Sequence, residues 1–153
     1  MTISRTTAIH EAGHAVAAIR LGLVFDHVTA VADLELEFDG ALHWTDLHAS
    51  GEVAFSSQLE AVVLLAGVCA EAKSLRRSLD QVFADDAAGD DREALASLGL
   101  TDSEFLQASR DALAIIERDW PAIERIADEL QTGRGLTFNE VDRICSYVNV
   151  TAT

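Results

Sequence analysis

The sequence predicts a mainly α-helical domain of the α+β class, in which one small antiparallel sheet interrupts a run of helices. Apolar residues recur at helical spacing over most of the chain, most densely in residues 59–75 (LEAVVLLAGVCAEAKSL). Pairs of a hydroxyl residue with glutamate three positions on, which open helices, stand at Ser57/Glu60, Thr101/Glu104 and Thr137/Glu140. Only residues 27–46 change to the two-residue alternation of strands. With 153 residues, 49% of them hydrophobic, the chain is long enough to bury a core, and 1–153 is read as one domain.

The first helix carries the chemistry. In TAIHEAGHAVAAIRLG (7–22), His10 and His14 stand four apart, so 3.6 residues per turn puts both imidazoles on one face. Neutral imidazoles at that separation can hold one Zn²⁺ from the same side. Glu11, between them, falls beside the ion and can take a proton from water. Ser4, Thr6 or Thr7 is expected to cap the start, and Gly22 to mark the stop. Gly13 costs a helix interior about 1 kcal/mol against alanine, so something nearby needs its missing side chain. Core or surface histidines without a metal give the same spelling. A polar trio inside an alanine-rich apolar helix favours the metal, because buried His and Glu need partners.

After that helix, HVTAVA (27–32) and the alternation of Leu34, Leu36 and Phe38 with glutamates read as strand. Asp39-Gly40 reads as a two-residue turn, and ALHWT (41–45) as the returning arm. The returning arm is expected at an edge, where an extended peptide can pair with it; an ordinary half-buried strand has the same spelling. His27, His43 and His48 are spare histidines, expected at the surface or beside the ligands. Residues 49–55 read as a connector. The helix opened by Ser57/Glu60 is expected to be central core. Glu71 lies deep in it, and either holds a ligand histidine or faces water near the helix end.

Asp85, Asp86, Asp90 and Asp91 then crowd a loop that enters a helix after Gly89. Such clusters are usually solvated caps, but with no third histidine close downstream this one is also the natural source of a carboxylate ligand. The remainder reads as helical scaffold over the motif helix: one helix to about Arg118, a restart at Trp120-Pro121, an end at Gly133 and Gly135, and a last short helix. Cys69 and Cys145 sit singly in apolar patterns and read as reduced core residues.

There are 26 acidic against 11 basic residues, a formal charge of −15. That argues against a phosphate-backbone binder and disfavours anionic lipid. No apolar run is long enough for a membrane span and no leader is legible, so a cytoplasmic location is expected.

Three stretches together resemble the peptidase domain of the FtsH-type ATP-dependent zinc metalloproteases: HEAGHAVAA (10–18), LLAGVCAEA (64–72) and AAGDDREAL (87–95). The resemblance runs in order over roughly residues 5–148. It implies a helical zincin-like domain, a bound Zn²⁺, and hydrolysis of a protein or peptide substrate with Glu11 as general base. The family places alanine four residues after its metal-binding aspartate. Ala94 therefore matches Asp90 to the third ligand beside His10 and His14, with Asp91 the alternative one step on. The loop before Asp90 lacks the family's Ser-Thr-Gly spelling. A motif starting at residue 10 leaves no room before it for membrane segments or an ATPase module. A stand-alone member is expected, whose ATPase or adaptor would be a separate partner, and the family's oligomeric state does not carry over. The reading from a different class is a non-catalytic metal-binding regulatory or protein-interaction module that keeps the fold.

Overall fold

The computed structural model describes residues 3–33, 38–42, 48–49, 56–84 and 89–151, with side chains for 3–30, 56–84 and 91–148. Seven helices and two small antiparallel sheets make up the described residues. The first helix, α1 (Arg5–Arg20), starts where the Ser4 hydroxyl accepts from the Thr7 N–H, and it ends at Gly22, which takes φ +73°. Every residue from Ala8 to Ala18 is buried, so α1 is the hub of the fold. Its far end is clamped by Arg20, which donates two hydrogen bonds of 2.9 and 2.8 Å to the buried Asp119.

Helix α2 (Ser57–Leu75), buried from Ala61 to Ala72, packs along α1. Small residues let the two backbones approach. A Cβ on Gly13 would stand 2.7 Å from the Ala66 carbonyl oxygen and 2.8 Å from Ala70 Cβ, closer than real Cβ contacts. The missing side chain at Gly13 is thus explained by this helix contact. The cap of α2 is Ser56, whose hydroxyl accepts from Leu59 N–H; Ser57 is the first helical residue, which corrects the expected Ser57/Glu60 box by one position.

Strand β1 (Leu23–Val24) pairs with β4 (His48–Ala49), while β2 (His27–Asp33) lies between β3 (Phe38–Leu42) and β5 (Leu136–Thr137). Among the described residues β3 is at the edge of its sheet, and of the expected returning arm (41–45) it includes Ala41 and Leu42. The turn itself is not at Asp39-Gly40: Asp39 pairs with Ala32 and Phe38 with Asp33, so both residues lie inside β3. Pairing across the sheet overrides their local turn preference, and the connection falls on 34–37, outside the described residues. His43 and Trp44 lie outside them too.

Helices α3 (Leu79–Ala84), which the sequence reading did not resolve, and α4 (Gly89–Ser97) follow α2. Next come α5 (Asp102–Arg118), α6 (Trp120–Gln131) and α7 (Phe138–Thr151). The reciprocal Thr101/Glu104 box and the restart at Trp120-Pro121 stand where expected. Thr137 and Glu140 also exchange hydrogen bonds, but α7 is a 14-residue helix rather than a short one. Buried Ile116, Ile123, Ile126 and Leu130 belong to the same apolar cluster as Ile9 and Val16, with α6 packed along α1. Covering a side chain of that size stabilises the fold by about 1.5–3 kcal/mol. No helix among the described residues is long and apolar enough to cross a membrane.

Candidate functional site

The face of α1 that carries His10 and His14 is turned toward α2 and α4. The rings meet edge to face, with centroids 4.7 Å apart. Each ring is fixed by its Nδ1. That of His14 donates to the Val63 carbonyl oxygen at 2.7 Å, and that of His10 donates to Glu71 Oε2 at 2.8 Å. Glu71 is 4% exposed, which decides between its two readings: it holds a histidine from α2 and does not face water. Glycine is required at Gly67, one turn before Glu71. A Cβ there would lie 2.5 Å from His14 Nε2 and 2.7 Å from its Nδ1.

With both Nδ1 atoms used as donors, the Nε2 atoms are left for a third group, which is Asp91. Its Oδ2 lies 2.6 Å from His10 Nε2 and 3.2 Å from His14 Nε2. One ligand atom from each of His10, His14 and Asp91 falls within 4.8 Å of the others, the arrangement of a metal-holding group. Among the described residues, the carboxylate that reaches both Nε2 atoms is that of Asp91, on the first turn of α4. Asp90 is the residue before it on that turn, and its side chain lies outside the described residues, as do Asp85 and Asp86.

The donor set fits a cation. A neutral His14 whose Nδ1 carries the proton presents a lone pair at Nε2, and a lone pair facing a carboxylate oxygen at 3.2 Å repels it. The contact is attractive only with a positive charge between the two atoms, either a proton or a metal ion. Two nitrogens and one oxygen are ligands that zinc accepts.

Protons fill that role when no metal does. Burial by itself would lower the pKa of His10, but hydrogen bonds to Asp91 and Glu71 and the nearby Glu11 charge outweigh it and raise the pKa to about 10. His14 is raised in the same sense, against its own burial, chiefly by the Asp91 charge. Burial would raise Asp91, yet His14 and His10 hold it well below the usual carboxylate range.

The sign of the pH dependence follows. A raised histidine stabilises the metal-free fold fully below its ordinary value of 6.5, and that contribution is lost as pH climbs toward 10. A depressed aspartate contributes above its ordinary value of 3.8 and loses that contribution as pH falls through the depressed value. Both are at full strength between those two ordinary values. Metal must displace the imidazole protons. Zinc uptake at pH 7 is therefore expected to release about one to two protons per ion, with apparent affinity rising about tenfold per pH unit for each proton displaced. Calorimetry in buffers of different ionisation enthalpy measures this, and zero proton release would contradict the geometry.

Glu11 is 7% exposed, between the two histidines on α1, and its charge acts on both imidazoles. His27 lies outside the cluster, hydrogen-bonded to Asp26, and His48 pairs in the outer two-stranded sheet. Cys69 and Cys145 are free and buried, each thiol pushed up to about 11 first of all by burial, and neither joins the cluster. Sequence reasoning missed Gly67, although a glycine inside an apolar helix was signal enough to find it. Compared with known proteins, the chain matches no family model and no curated protein.

Proposed function

We propose that this protein is a zinc-dependent metallopeptidase of helical, zincin-like type, with His10, His14 and Asp91 as the metal-holding residues and Glu11 as the general base. The observation that carries the reading is the convergence of two Nδ1-anchored imidazoles and one carboxylate on a single point, beside a buried glutamate. The resemblance of residues 10–18, 64–72 and 87–95 to the FtsH-type peptidase domain supports it from the sequence side.

A bound zinc ion would supply Lewis-acid polarisation of a peptide carbonyl and bring the pKa of water to about 7. Glu11 accepts the proton that water gives up on attacking the carbonyl carbon, and returns it to the leaving amine. Glu71 keeps the His10 ring oriented and its Nε2 basic. The Val63 carbonyl does the same for His14. Strand β3, at the edge of its sheet among the described residues, would offer main-chain groups to an extended peptide.

The experiment is digestion of casein and of a peptide library by wild type and by Glu11→Gln, with zinc content measured in both. The amide keeps the shape of the side chain and loses the base. Hydrolysis should fall by at least about a hundredfold while zinc remains bound. A zinc-loaded wild type that cleaves nothing, or a variant that cleaves at the wild-type rate, would overturn the reading.

A further inference from the structure

On the side of α2 opposite Glu71 lies a groove of about 370 Å³ against α5. Its floor is apolar, made by Cys69, Ala72, Leu79 and Leu113, and its rim carries Lys73, Arg77 and Arg110. Three of the chain's 11 basic residues thus stand around one groove on a protein of net charge −15. The acidic residue in the lining, Glu117, is bonded to Lys73 at 3.1 Å, and Lys73 also sits over the Trp120 ring.

Helix α5 shows why this face is unfinished. Its inner stripe, Ala108, Ala112 and Ile116, is buried in the core. A second stripe, Leu106, Arg110, Leu113 and Glu117, follows the spacing i, i+4, i+7, i+11 on the opposite side. Leu106 is 51% exposed and Leu113 49%, and Leu75 at the end of α2 is 39% exposed. Leu113 lines the groove and the exposed Leu106 lies beyond it, with Arg110 between them, so the exposed face of α5 is longer than the groove and matches the surface of an amphipathic helix rather than a compact small molecule.

We propose that this face docks an acidic amphipathic helix of a partner protein. The partner's apolar side chains cover Leu106 and Leu113 and enter the groove, while its carboxylates meet Lys73, Arg77 and Arg110. The occupant then lies on the back of the helix that holds His10 through Glu71. The proposal does not depend on the peptidase reading, since it uses none of the metal-holding residues.

The test uses a fluorescein-labelled helical peptide of about 18 residues, long enough to hold a helix. It has leucines at alternate third and fourth positions and glutamates on the flanks, and a second peptide has lysine for each glutamate. Fluorescence anisotropy at physiological salt should show the acidic peptide binding and the lysine peptide not. Arg77→Glu/Arg110→Glu should weaken the acidic peptide at least tenfold and reverse the preference, and Leu113→Asp should abolish binding of both. All of these positions are exposed or lie at the groove rim, and circular dichroism checks the fold of each variant. Failure of the acidic peptide to bind, equal binding of both peptides, or indifference to the double variant overturns the proposal. So does decanoate saturating a groove that ignores the peptide, or a dimer in sedimentation that Leu113→Asp dissolves. Those results would assign the face to a small amphiphile or to a second copy of the chain.

Discussion

Zinc should be lost from Asp91→Ala, by more than the roughly 10–100-fold that follows changes around a ligand rather than at one. Among the described residues, Asp91 supplies the one carboxylate that reaches both Nε2 atoms, at 2.6 and 3.2 Å, so its removal would leave His10 and His14 without that partner. It also removes the negative charge that balances the cation. The metal-free variant should change as well. His10 and His14 lose the partner that raises them, so the stability gained between the ordinary carboxylate and histidine values should shrink. Asp90→Ala is the comparison. Retained zinc there, with loss in Asp91→Ala, assigns the ligand to Asp91, and the reverse result assigns it to Asp90. A zinc titration with a competing chelator reads both variants.

Gly67→Ala should be nearly as damaging to metal binding as removing His14. In an ordinary helix interior this change stabilises by about 1 kcal/mol. Here the new Cβ would fall 2.5 Å from His14 Nε2. The ring cannot retreat: it is 4% exposed, and its Nδ1 is tied to Val63 at 2.7 Å. Either the imidazole leaves its position or α2 moves away from α1, and overpacking of this kind costs about 1–3 kcal/mol. We expect lost zinc together with a lower melting temperature. Full metal content at an unchanged melting temperature would show that the close approach is not rigid.

The motif helix was legible because its geometry is local. Four residues put His10 and His14 on one face whatever surrounds them, and the cost of Gly13 already demanded a close neighbour, which is Ala66. The third carboxylate was legible only to within a loop. Asp90 and Asp91 differ by one step on α4, and which of them points at α1 depends on how α4 docks rather than on its sequence. The same one-residue ambiguity moved the cap of α2 from Ser57 to Ser56, two adjacent hydroxyls with equal local claims. Asp39-Gly40 failed for a different reason, since a turn preference gives way when both residues lie within a paired strand: Asp39 faces Ala32, and Gly40 falls at the register shift before Ala41 meets Thr29. The partner of Glu71 was half legible: a buried carboxylate needed one, and only the packing of α2 on α1 names His10.

The three residues of the candidate metal site ride on elements that are buried to unequal extents. His10 and His14 belong to α1, enclosed on every turn from Ala8 to Ala18 and pinned by Arg20 to Asp119. Asp91 belongs to a nine-residue helix held to the core through Leu95 and to α3 through the Arg92 bond to the Phe83 carbonyl. Fewer buried residues hold α4 than α1, so α4 is expected to open at lower cost than the helix that carries the histidines. An ion at this centre would therefore exchange by way of α4. Its residence time would be set by how often that helix lifts, and its affinity by the geometry that α1 keeps throughout.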